Sequence, residues 1–225
     1  MTDDIAGASA LPPKITPADF AAANGTGDWR YVLGAVRADF RFGSYAEAAA
    51  FIPVVAGVAE AIDHHPDVDL RYPNRLRFSV TTHDVGSLST KDVQLATIIS
   101  RLARTQGAEA EPLAAQVVEI AIDTMDPDRI RPFWAAVLDY DDKDGDLVDP
   151  HRMGPPVWFQ TMDEPRPQRD RFHLDVSVPH DVAEARIAAA LAAGGTLVSD
   201  SRAPLWLILA DADGNEACVC TWQGR

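Results

Sequence analysis

Glu60-Ala-Ile-Asp-His64-His65-Pro66-Asp-Val-Asp-Leu-Arg-Tyr72, running on through Pro73-Asn74 into Arg75-Leu-Arg-Phe-Ser-Val-Thr-Thr82-His83, decides how the first half of the chain folds. A helix has to stop near residues 63–65, because Pro66 disfavours helical geometry in the residue before it. Residues 70–72 and 75–82 read as extended, with Pro73-Asn74 as the turn between them. Arg75, Arg77, Ser79 and Thr81 alternate with Leu76, Phe78, Val80 and Thr82, the period-two pattern of a half-buried strand.

Working outward, Ser44-Tyr-Ala-Glu47 has the form of a capping box, a hydroxyl at the cap and a carboxylate three residues on. Phe51, Val54, Val55, Val58 and Ile62 then recur at helical spacing, and Pro53 inside the pattern is expected to kink or loosen the helix. A second helix is predicted over residues 90–104, with Leu95, Ile98, Ile99 and Leu102 inward, and residues 37–42 read as another strand. The result is an α+β domain with helices on one face of an antiparallel sheet. Its expected limits are residues 15–105, after a loose tail over 1–14. Residues 106–115, with Gly107 and Pro112 among small and polar neighbours, read as a linker. A second domain fills 116–225.

Three of the six histidines fall between His64 and His83, two at a helix end and one at a strand end. Imidazole titrates nearest neutrality, so such a group suits a reaction that must protonate a leaving hydroxide and remove a proton elsewhere. A helix-end His-His pair that merely complements the dipole is the plainer alternative, and a three-histidine zinc site is the rival.

The whole string, with Thr82-His83-Asp84-Val-Gly86, Leu88-Ser-Thr-Lys-Asp92, the upstream Phe40-Arg-Phe42 and Val58-Ala59-Glu60, resembles the pterin-4a-carbinolamine dehydratase family over residues 15–104. The resemblance implies a metal-free site of His64, His65, His83 and Asp92 that needs no cofactor. His64 and His83 would be the acid–base pair acting on 4a-hydroxytetrahydropterin, releasing water and quinonoid dihydropterin. His65 would hold the pterin ring. Glu60, Thr82, Asp84 and Tyr72 would contact the substrate. Asp92 would orient an imidazole or bind the ligand, and its plainer reading is a helix-start carboxylate paired with Ser89. Pro73, Ser87 in place of a second glycine, and Pro53 depart from the family pattern.

From Gln116 the order strand, helix, strands occurs twice, two βαβββ units of about 50 residues each. Strands are expected over 117–123, 156–162, 172–178, 205–210 and 216–221, and helices from Asp126-Pro127 and over 181–193, the latter closed by Gly194-Gly195. Phe133-Trp-Ala-Ala-Val-Leu-Asp-Tyr140, Arg171-Phe-His173-Leu-Asp175 and Asp213-Gly-Asn-Glu216 resemble glyoxalase-like members of the glyoxalase/bleomycin-resistance/dioxygenase (vicinal oxygen chelate) superfamily. Such folds host many reactions. The equivalent ligand positions are Glu119, Gln160, His173 and Glu216, a set able to take a divalent ion; mismatched ligand types favour a metal-free module. Arg166, Arg169 and Arg171 near His173 read as a solvated loop or an anion-attracting cluster.

The net charge of −14 is uneven: residues 1–106 hold 12 acidic and 10 basic groups, residues 107–225 hold 22 and 10. That field repels phosphate backbones, so no nucleic-acid partner is expected. No membrane span, no signal pattern and two lone cysteines, Cys218 and Cys220, point to a cytoplasmic protein. The expected partner is a small-molecule pterin, and a homo-oligomer is expected from both resemblances. Three functions stay open at this point: a dehydratase, a pterin-binding module without turnover, and a metal-dependent lyase or oxygenase in the second half.

Overall fold

The computed structural model describes residues 11–164, 174–178, 183–221 and 223. It divides into two compact units, Met1–Val117 and Val118–Arg225.

In the first unit the elements run α1 (Pro17–Ala22), β1 (Arg30–Val32), β2 (Ala35–Arg41), α2 (Tyr45–Ile62), β3 (Asp67–Arg71), β4 (Arg75–Val80), α3 (Thr90–Thr105) and β5 (Glu109–Ala110). The sheet order is β1-β2-β4-β3, with β5 also pairing β2, and all the pairings are antiparallel. The alternation in β4 has its expected effect: Leu76, Phe78 and Val80 are buried, while Arg75 is exposed and Arg77 and Ser79 are half-buried. Phe78 meets Phe40, Trp29 and Phe51 at ring centroid distances of 6.0, 6.4 and 6.3 Å. The core joins these rings to Val55 of α2 and to Leu95, Ala96 and Ile99 of α3, so the helices cover one face of the sheet. Each large side chain buried there contributes about 1.5–3 kcal/mol.

The Ser44 hydroxyl caps α2 by accepting from the Glu47 N–H, and the helix runs unbroken through Pro53. By length and a mean hydropathy of 1.5, α2 is apolar enough to cross a membrane, contrary to the expectation that no segment would be. Its Phe51, Val55 and Ala59 are instead buried in this unit. The helix ends at Asp63, which takes the left-handed conformation at φ 49°.

Two expectations change here. The segment read as linker, residues 106–115, contributes β5, whose Ala110 and Glu109 pair with Phe40 and Arg41. Ala108 is buried, and Glu111 binds Arg41 and Arg75. A Gly- and Pro-bearing polar stretch looks like a spacer until a distant strand edge supplies its partner. Nor is the expected tail loose to residue 14. Pro13 accepts from the Thr90 N–H, and Lys14 bridges Ser89.

The second unit contains β6 (Ile120–Thr124), α4 (Pro127–Leu138), β7 (Asp141–Lys143), β8 (Asp146–Val148) and β9 (Val157–Thr161), then β10 (Leu174–Ser177), α5 (Ala183–Ala192), β11 (Thr196–Arg202), β12 (Trp206–Ala210) and β13 (Glu216–Cys220). The sheet orders β6-β9-β8-β7 and β10-β13-β12-β11 are the same pattern repeated. In each, first and last strands run parallel, Ile120 opposite Val157 and Leu174 opposite Ala217. This is the paired βαβββ arrangement, with Ile130, Phe133, Trp134, Leu147, Leu209 and Val219 in its core.

Candidate active site

The end of α2, the end of β4 and the start of α3 meet around one buried carboxylate. Asp92, the third residue of α3, is fully buried, and His64, two residues after α2, is 8% exposed. The His64 Nε2 lies 2.9 Å from Asp92 Oδ1. The other oxygen, Oδ2, accepts from the Thr82 hydroxyl at 2.7 Å and from the Ser89 N–H at 2.6 Å. Thr82 and Ser89 hydroxyls are 2.7 Å apart.

Proton directions follow. A carboxylate only accepts, so Thr82 spends its single proton on Asp92 and accepts from the Ser89 hydroxyl; the Ser89 oxygen accepts in turn from the Lys91 N–H. His64 donates through Nε2, which leaves Nδ1 as the ring nitrogen that takes a proton. That tautomer is assigned from the network. Burial alone pushes the Asp92 carboxyl up, yet the bonds from His64, Thr82 and the Ser89 N–H together outweigh it and hold Asp92 below its ordinary value. One oxygen of Asp92 faces His64, and the other takes the helix-start pairing with Ser89.

The remaining expected residues divide. His83 opens a short 3₁₀ turn, His83–Val85, directly after Thr82; it is exposed and its ring has no hydrogen-bond partner among the described residues. Asp84 shares that turn and is exposed. Gly86 carries the positive φ, 59°, that closes the loop, and Thr82 and Ser87 bond each other's backbones across it, so a serine at 87 meets no strain. His65 is exposed and lies 3.2 Å from Glu60 Oε1, which ties Glu60 to His65 rather than to the buried network. Tyr72 does not join the group. It sits 90% exposed in the turn between β3 and β4, whereas His64 and Thr82 lie at the other end of that hairpin, about 17 Å away along five residues of strand. Ser89, expected from its capping position as the helix-start partner of Asp92, also joins Thr82 through its hydroxyl, a link that spacing did not reveal.

Residues 13–102 match the family model described as pterin 4 alpha carbinolamine dehydratase. A relative from Chloroflexus aurantiacus, provisionally named a pterin-4-alpha-carbinolamine dehydratase, is 44% identical over 75 residues, 33% of this chain and 80% of its own length. The chain belongs to the pterin-4a-carbinolamine dehydratase family. A provisionally named dehydratase of Thermosynechococcus vestitus is 38% identical over 95 residues, 41% of this chain and 98% of the relative. Beyond the dehydratase region, residues 119–220 match the model described as a glyoxalase-like domain. Among solved structures, a transcriptional coactivator/pterin dehydratase from Brucella melitensis is 25% identical with a TM-score of 0.35, covering 40% of this chain and 98% of that one. A glyoxalase/bleomycin resistance protein/dioxygenase family enzyme from Burkholderia phytofirmans is 16% identical with a TM-score of 0.40, covering 48% and 98%.

The ligand set expected in the glyoxalase-like domain does not fit one ion. In the parallel β6–β9 pair, Gln160 stands opposite Asp123, and the Ile120 N–H bonds the Pro156 carbonyl, which puts Glu119 at the other end of the pair. Glu119 and Gln160 are therefore four residues out of register, about 13 Å along the strands, too far to share an ion whose ligands lie near 2 Å. The Gln160 amide donates to the Thr161 carbonyl. His173, with Arg166, Arg169 and Arg171, lies outside the described residues. Cys218 and Cys220 are buried, and burial first, with Asp175 beside it, pushes the Cys218 thiol up to about 12, which disfavours its thiolate at neutral pH.

Proposed function

We propose that residues 13–102 dehydrate 4a-hydroxytetrahydropterin by histidine acid–base catalysis. The observation that carries this reading is the buried His64–Asp92 pair, backed by Thr82 and Ser89, with His83 next to Thr82 in the chain, exposed and without a hydrogen-bond partner among the described residues. His64, fixed with its proton on Nε2, takes a substrate proton at Nδ1 and passes to an imidazolium opposite Asp92. His83, exposed to the incoming molecule, gives its proton to the departing 4a-hydroxyl, which leaves as water. The electron pair of the C4a–O bond leaves with the oxygen as water, and the pair of the N5–H bond, freed as His64 takes that proton, becomes the C4a=N5 double bond of the quinonoid product, so the step needs no oxidant. His65, held by Glu60, packs against the pterin ring.

The test is a dehydratase assay on the intact chain and on His64→Ala and His83→Ala. Each substitution is expected to lower kcat by about a hundredfold or more, the usual scale of general acid–base catalysis. Full activity in both variants overturns the reading, and tight pterin binding without turnover in the parent replaces catalysis with ligand capture.

A further inference from the structure

Adjacent residues of α3 hold adjacent residues at the end of α2. Asp92 bonds His64, and its neighbour Lys91 reaches back so that Nζ donates to the Asp63 carbonyl at 2.7 Å. Asp63 is where α2 stops in a left-handed turn, φ 49° and ψ 54°, a conformation that a non-glycine residue adopts at a cost. That turn sets the direction in which His64 leaves the helix, and the His64 N–H is then tied to the Ala59 carbonyl. The Asp63 carbonyl is one of the helix-end acceptors that need an outside donor, and Lys91 supplies it. The Asp63 carboxylate lies a further 3.5 Å from the same ammonium and is largely exposed, so the bond to the main chain is the one that fixes geometry.

We propose that Lys91 is a positioning residue for His64: by clamping the Asp63 carbonyl it holds the left-handed end of α2, and so seats the His64 imidazole on Asp92. This rests on the dehydratase reading of the site. Lys91 acts through the backbone and touches no substrate. Because the clamp opposes backbone strain at Asp63, a residue without that strain removes the need for it. Glycine enters the left-handed region freely.

The experiment compares the intact chain with Lys91→Met, Lys91→Arg, Asp63→Gly, and Lys91→Met combined with Asp63→Gly. Two readouts are taken, steady-state dehydratase kinetics and the proton resonance of the His64 Nε2–H. Lys91→Met is expected to lower kcat about tenfold with KM changed less than about twofold, the scale on which small misplacements of a catalytic group act. In the same variant the Nε2–H resonance broadens through exchange. Lys91→Arg restores most of both, and Asp63→Gly in the Met background recovers them in part. A Lys91→Met protein with unchanged kcat and a sharp resonance overturns the proposal. So does a change confined to KM, which would make Lys91 a substrate contact, or a loss that Asp63→Gly does not relieve. Should the parent show no dehydratase activity, the function reading fails by itself, and the resonance still decides whether Lys91 seats the imidazole.

Discussion

Each unit holds an aspartate buried close to completely, and the partners of the two carboxylates differ in kind. Asp92 in the first unit is fully buried, and Asp211 in the second is 3% exposed. Asp211 Oδ1 accepts from the backbone N–H groups of Asp213 and Asn215, and Oδ2 accepts from the Trp134 indole and the Asn215 amide. None of those donors titrates. The group is a clamp that ties the 211–215 turn to α4, and its protons stay where they are. Asp92 differs in a single partner, the imidazole of His64, which can carry one proton or two. A buried carboxylate surrounded by fixed donors builds structure; on the dehydratase reading, the one that faces an imidazole serves proton transfer.

Substitutions that act on one member of this comparison and spare the other test it. The largest effect is expected from Asp92→Asn, which preserves shape but presents an amide to Nε2 and favours the wrong tautomer. Dehydration should fall by about a hundredfold or more, read as kcat on the intact chain. An active Asp92→Asn protein would make Asp92 as structural as Asp211. Next comes Asp211→Ala, which strands the Trp134 and Asn215 donors. It should destabilise the second unit by about 3 kcal/mol, read as a fall on the order of 10 °C in its thermal transition. The dehydratase rate should not change. The smallest effect is in acid. Asp92, held below its ordinary value of 3.8, stabilises the folded first unit at every pH above that value, and the contribution fades as pH drops below 3.8 through the folded-state value. The stability gap between the parent and Asp92→Asn should therefore narrow as pH falls through this window in acid titrations followed by circular dichroism. A gap independent of pH would mean that the folded unit gains nothing from the ionised form of Asp92.

The two units were also unequally legible. Strong local patterns read correctly: the Ser44 cap, the 75–80 alternation and the Pro127 helix start all appear as elements. Short, charged elements did not announce themselves. Asp141–Lys143 and Asp146–Val148 form a hairpin whose first strand is wholly exposed, so no apolar alternation marks it. β1 spans three residues and β5 two, and both exist because β2 offers them an edge. The four-residue register offset between Glu119 and Gln160 was equally invisible, since spacing along a chain says nothing about which residues stand opposite on paired strands.

The sequence by itself determined the division into two α+β units, the paired βαβββ repeat and the identity of the imidazoles, because those follow from local periodicity and residue chemistry. It also determined the family, through a string of motifs around His64 and His83. Only the tertiary structure decided which of the expected residues form one site. His64 and Asp92 are 28 positions apart, and Thr82 reaches the same carboxylate from a third element. Their convergence depends on how α2, β4 and α3 pack on a common core. Tyr72 was separated from them by the same cause, the length of one β-hairpin.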